Sequence, residues 1–181
     1  MVITVRTRFI DDALTDIATG PDGPAQIVLL AAGMDTRAYR LDFPTTTTVF
    51  ELDRPDVLQL KDRLLAGTPE LRCTRRPLGV DLAGDWSTAL TAAGFDLRLP
   101  TIWLAEGLTQ YLEAPVVGGL LDRITTLSAP GSHLLIDVVG QSVLDDVSMR
   151  PWLDELAHRG MPWLYGTDQP EELLHPRGWL T

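Results

Sequence analysis

The sequence has a single cysteine, Cys73, in 181 residues. No disulfide can form within the chain, and no cysteine zinc cluster can be assembled. Positive charge is short as well. Fifteen Lys and Arg stand against twenty-five Asp and Glu, a net charge of −10. Affinity for a nucleic-acid backbone comes largely from neutralising phosphates, so no nucleic-acid partner is expected. No apolar run approaches the roughly eighteen residues of a membrane-spanning helix. The opening MVITVRTRF lacks the basic-then-apolar pattern of a secretory signal, so a cytoplasmic location is expected. There is no H-E-x-x-H and no G-x-S-x-G, and His133, His158 and His175 show no metal-ligand spacing. Internal repeats and low-complexity tails are lacking too.

What is present is an ordinary globular composition, 45% hydrophobic and 22% charged, in 19.9 kDa. That suffices for one full hydrophobic core. Phe9, Ile10, Ala13, Leu14 and Ile17 recur at helical spacing and predict a helix from about Arg6 to Ile17. After the turn-rich stretch 19–24, Ile27–Leu30 is an uninterrupted apolar run that reads as a strand buried on both faces. The alternation then repeats. Strands are expected at Thr47–Phe50 running on to Asp53, at Arg72–Arg76, at Thr101–Ala105 and at His133–Val138. Helices are expected after Arg54 with Val57, Leu60 and Leu64 inward, and from Trp86 to Ala93 closed by Gly94. Another is expected from Pro115 with Val116, Leu120, Leu121, Ile124 and Leu127 inward. This order predicts a mostly parallel α/β sheet with helices on both faces. Beyond Val139 the rhythm gives way to helical pieces near 143–147 and 152–158 and a last helix starting around 168–174.

In such sheets, ligands bind outside the carboxyl ends of the strands. The expected strand ends carry Gly33 and Asp35, Glu51 and Asp53, Asp81-Leu82, Glu106-Gly107, and Asp137. Asp137 reads as structural. Gly33 leads into a short helix, and Glu51 follows eighteen positions later. This approaches the spacing of about twenty between a glycine loop and an acid that bonds ribose hydroxyls. A nucleoside-containing cofactor is therefore expected. The loop Ala-Ala-Gly-Met-Asp-Thr-Arg37 has one glycine rather than G-x-G-x-x-G, and Asp35 puts negative charge where a pyrophosphate would sit. Such a loop suits a cationic ligand, and S-adenosylmethionine fits. Asp35 could also simply cap the helix after it.

Three segments in order carry a resemblance. Gln26–Leu41 (QIVLLAAGMDTRAYRL), Val49–Pro55 (VFELDRP) and Leu104–Leu112 (LAEGLTQYL) resemble the leucine carboxyl methyltransferase family. They look closest to its mycobacterial-type branch of S-adenosylmethionine-dependent methyltransferases. The likeness runs from about Val5 to Val139. It implies a class I methyltransferase (Rossmann-like) fold, S-adenosyl-L-methionine as cofactor, and methyl transfer to oxygen on a carboxylate or hydroxyl of a small molecule or lipid-like acid. It implies that Arg6 or Arg8 meets the methionine carboxylate and that Gly33 is the loop glycine. Asp53 with Glu51 would meet the ribose, Asp81 and Leu82 would flank the adenine, and Glu106 would face the ammonium or the substrate. Tyr111 is a substrate-side candidate, and no catalytic residue is named.

Measured against that resemblance, a core truncated at both ends is expected, with the fold's last two strands missing. The expected division is a cofactor-binding core, 1–139, and an incomplete helical cap, 140–181. An open edge at the fifth strand would favour self-association. Two readings compete with the methyltransferase: an inactive remnant of the same fold, and a nicotinamide-dependent oxidoreductase, which the glycine-poor loop disfavours.

Overall fold

The computed structural model describes residues 2–68 and 71–181. Helix α1, Val2–Thr19, precedes strand β1, Gln26–Leu30; then follow α2, Arg37–Arg40, β2, Thr48–Asp53, α3, Pro55–Leu64, and β3, Thr74–Gly79. Helix α4, Trp86–Ala92, β4, Thr101–Ala105, α5, Ala114–Thr126, and β5, His133–Ile136, complete the alternation. Three short helices follow: α6, Gln141–Asp145, α7, Arg150–His158, and α8, Pro170–Leu174. The strands form one five-stranded sheet in the order β3-β2-β1-β4-β5. β1 pairs in parallel with β2, Gln26 opposite Thr48, and β2 with β3, Thr48 opposite Thr74. The order reverses between β1 and β4, which makes that point the topological switch of the sheet.

The chain divides into two compact units. The first comprises Met1–Leu104 with Ser128–Leu135, the second Ala105–Leu127 with Ile136–Thr181. The second unit thus takes in 105–127 as well as the C-terminal stretch.

In the first unit, strand alternation sorts residues between two cores. Ile27, Leu29, Val49, Ile102 and Leu104 pack with Ile10, Leu14 and Ala18 of α1, Ala38 of α2, Phe43 and Cys73. On the opposite face Phe50 and Trp103 meet Phe95, and Trp103 meets Trp86 of α4, all in edge-to-face or tilted contacts with centroids 5.5–6.3 Å apart. Such pairs add about 0.5–1.5 kcal/mol each beyond the area they bury. Asp85 caps α4, its carboxylate accepting the Thr88 N–H at 3.4 Å and the Thr88 hydroxyl at 2.8 Å. Gly94 ends the helix at φ +95°.

Three expected faces are corrected. Phe9 is 71% exposed, because the buried stripe of α1 runs through Ile10, Leu14 and Ala18. In α3 the residues turned inward are Leu58 and Lys61, while Leu60 and Leu64 are exposed. The helix is rotated so that Lys61 reaches Glu51, and an ion pair decides the face. In α5 the inward valine is Val117, and Val116 is exposed. β3 is also displaced two to three residues toward the C-terminus of its expected span.

In the second unit, α5 buries Val117, Leu120, Leu121 and Ile124. The C-terminal stretch is tied to it, with Arg177 Nε donating to Asp122 at 2.7 Å and Trp179 Nε1 donating to Thr125 at 2.9 Å. Leu164 N–H donates to the Gln110 carbonyl at 2.6 Å and Thr167 N–H to the Val139 carbonyl at 2.8 Å. Trp152 and Trp163 form an edge-to-face pair 4.6 Å apart. Among the described residues no helix is long and apolar enough to cross a membrane.

Candidate active site at the strand ends

The loop after β1 turns sharply. Ala31 and Gly33 both have positive φ, +53° and +43°. For Ala31 that conformation is costly, and glycine adopts it freely. What holds the loop is Asp53, the last residue of β2. Its Oδ2 accepts the Gly33 N–H at 2.6 Å and its Oδ1 accepts the Arg54 N–H at 2.7 Å. Each carboxylate oxygen retains a further lone pair. The sequence brings Gly33 and Asp53 together as expected, because both lie at the carboxyl ends of adjacent parallel strands.

Asp81 and Leu82 lie in the same neighbourhood. Val80 N–H donates to the Asp53 carbonyl at 2.8 Å, which lays the segment after β3 alongside the end of β2. The Asp81 carboxylate is exposed and accepts the Ala83 N–H at 2.9 Å, forming a turn. Leu82 is half-buried. Gly33, Asp53, Asp81 and Leu82 therefore share one edge of the first unit.

Two expected ligands are engaged elsewhere. Asp35 accepts the Arg37 N–H at 2.6 Å and forms an ion pair with the Arg37 guanidinium. The first amide of α2 is thereby taken by the protein's own carboxylate. Glu51 is fully buried and paired with Lys61 Nζ at 2.8 Å and Arg75 at 2.7 Å. Glu51 lies within β2, where its side chain points into the face beneath α2 and α3 rather than out of the strand end. The Arg75 guanidinium also pairs with Asp62 at 2.7 Å and lies over the Tyr39 ring. Burial pushes the Tyr39 hydroxyl up from its ordinary value.

On α1, Arg8 is exposed and pairs with Asp12 one turn along, at 2.8 Å. Arg6 is half-buried on the same helix. Sequence reasoning missed Asp11 and Arg37. Arg37 is 3% exposed and donates Nε to Asp11 at 2.7 Å, tying the loop helix to α1, and Arg40 pairs with the same carboxylate. Only their spacing in three dimensions reveals this bridge; no sequence motif carries it.

In the second unit, Glu106 is half-buried directly after β4. Gly107 follows at φ +66°, its N–H donated to Asp137 Oδ1 at 2.7 Å. Tyr111 is exposed at the end of a single 3-10 turn, Thr109–Tyr111. No group of three or more His, Cys, Asp or Glu among the described residues could hold a metal ion.

The leucine carboxyl methyltransferase profile matches residues 1–125. A relative in Mycolicibacterium smegmatis, described by name as an S-adenosyl-L-methionine-dependent methyltransferase, is 50% identical over 143 residues, 78% of this chain and 47% of its own length. Another in Rhodococcus jostii, with the same descriptive name, is 52% identical over 133 residues, 73% of this chain and 45% of its own length. The chain spans a little under half the length of these relatives. Among solved structures, a DUF574 family protein from Streptomyces avermitilis superposes with a TM-score of 0.71 at 21% identity, over 93% of this chain and 66% of that one. A methyltransferase-named protein from Thermobifida fusca gives 0.70 at 20% identity, over 96% and 65%. At these identities the structural likeness is one of fold, that of class I methyltransferases, whereas the profile match covers more than half of the sequence: the chain belongs to the leucine carboxyl methyltransferase family.

Proposed function

We propose that this chain carries the cofactor-binding core of an S-adenosyl-L-methionine-dependent O-methyltransferase acting on a carboxylate or hydroxyl of a small molecule or lipid-like acid. The carrying observation is the Asp53 carboxylate at the end of β2, fixed against the amide of Gly33 at 2.6 Å with lone pairs to spare for ribose hydroxyls. The Asp35 carboxylate at the start of α2 supports the same reading. Asp35 takes the Arg37 amide there, so a pyrophosphate would meet a carboxylate's negative charge. This disfavours the nicotinamide alternative.

Asp81 and Leu82 would flank the adenine, Arg6 would meet the methionine carboxylate, and Glu106 the ammonium. Asp35 and Glu51 act one step back: the first holds the loop through Arg37, the second supports β2 through Lys61 and Arg75. When bound, the cofactor supplies a methyl group on a positively charged sulfur. A carboxylate acceptor is already ionised at neutral pH and asks the protein only for positioning and exclusion of water. A hydroxyl acceptor would need a base, for which Glu106 or Tyr111 is a candidate. The division into a core, 1–139, and a substrate-side cap, 140–181, belongs to the same proposal. So does self-association through β5, at one end of the strand order, to be read from sedimentation across protein concentrations.

Calorimetric titration with S-adenosylmethionine, with NAD as control, tests the reading. Binding of the first alone is expected. Failure of both in a folded chain would favour the inactive remnant.

A further inference from the structure

Two carboxylates at strand ends make the same contact in this protein. Asp53, ending β2, accepts the amide of Gly33 in the loop after the neighbouring strand β1. Asp137, directly after β5, accepts the amide of Gly107 in the turn after the neighbouring strand β4, at 2.7 Å. Both glycines have positive φ, in turns that glycine leaves with many alternatives until something holds them. Asp137 makes two further ties. Its N–H donates to the Ala105 carbonyl at 3.3 Å, and its carbonyl accepts from the Thr109 hydroxyl at 3.1 Å. One residue therefore grips Ala105, Gly107 and Thr109, on both sides of Glu106. The carboxylate-to-amide bond is charge-assisted, the stronger class of hydrogen bond.

We propose that Asp137 is a positioning residue: by holding the Ala105–Thr109 turn, it sets where the Glu106 carboxylate stands for the cofactor. This rests on the reading of Glu106 given above. Asp137 itself touches neither cofactor nor acceptor in this scheme, and it acts through the turn.

The test compares Asp137→Ala, Asp137→Asn and Asp137→Glu, alone and combined with Glu106→Gln, using S-adenosylmethionine titration and amide exchange at Gly107. Asn keeps an oxygen that can accept the Gly107 N–H; Ala keeps none. The expected result is a Kd about tenfold weaker for Asp137→Ala and little changed for Asp137→Asn, with Gly107 exchange accelerated at least tenfold only in the former. Glu106→Gln added to Asp137→Ala should cost little more, because the acid is already misplaced. A lower melting temperature with unchanged Kd, or strictly additive losses, would overturn the proposal. If Asp137→Ala does not fold, Asp137→Glu decides. It keeps the charge but displaces the accepting oxygen, so Kd should weaken about fivefold, and an unchanged Kd overturns the idea. A wild-type chain that binds no S-adenosylmethionine would refute the functional reading instead. Gly107 exchange alone then judges the grip, and equal exchange in wild type and Asp137→Ala overturns it.

Discussion

The Arg37 guanidinium, almost wholly buried, joins Asp11 of α1 to Asp35 of the glycine loop, donating Nε to Asp11 at 2.7 Å. Burial pushes the Asp11 carboxyl up, but the guanidinium groups of Arg40 and Arg37 outweigh it and hold the group below its ordinary value. A carboxyl depressed in the folded state stabilises above its unfolded value, near pH 4, and loses that contribution as pH falls through the lower folded value. Asp11→Asn should cost about 1.5–3 kcal/mol at pH 7, the usual worth of hydrogen bonds to charged groups. Urea titrations from pH 7 to pH 3 check this, and the gap between variant and wild type should narrow below pH 4. A gap that stays constant would deny the bridge its charge.

Asp53→Ala removes both the acceptor for Gly33 and the candidate ribose ligand. S-adenosylmethionine binding should fall at least a hundredfold, measured by calorimetry on protein shown folded by circular dichroism. Retained affinity would take Asp53 out of the site.

Lys61 and Glu51 form a buried pair that Arg75 shares. Lys61→Met leaves Glu51 neutralised by Arg75, whereas Glu51→Gln strands the buried Lys61 ammonium and leaves Arg75 only its second partner, Asp62. Breaking a buried pair in that way costs about 3–5 kcal/mol. Glu51→Gln should therefore be the more destabilising change in urea melts, and adding Lys61→Met to it should recover part of the loss. The reverse ranking would show that Lys61, not Glu51, is the hub.

The rotated helix faces can be read directly. Leu58→Ala and Val117→Ala empty core positions; the leucine change should cost about 2–5 kcal/mol. Leu60→Ala and Val116→Ala lie on exposed faces and should stay within about 0.5 kcal/mol. Equal losses at Leu58 and Leu60 would contradict the placement of α3.

The alternation of strands and helices and the positions of β1 and β4 were legible along the chain. So was the placing of Gly33 and Asp53 at the ends of consecutive strands. Those signals are local: apolar runs of strand length, glycine where a chain must turn, and an acid at the next strand end. Tertiary structure decided what each charge does. Asp35 and Glu51 read as ligands in one dimension; in the fold Arg37 pairs with Asp35, and Lys61 and Arg75 pair with Glu51, whose complete burial makes an unpaired charge there costly. The inward faces of α3 and α5 were decided in the same way. Hydrophobic periodicity leaves a choice between neighbouring residues such as Val116 and Val117, and packing and ion pairing make it. The bridges from Asp11 to Arg37 and from Asp137 to Gly107 join residues 26 and 30 positions apart. Only the folded sheet brings such groups within hydrogen-bond distance, so no reading along the chain could have paired them.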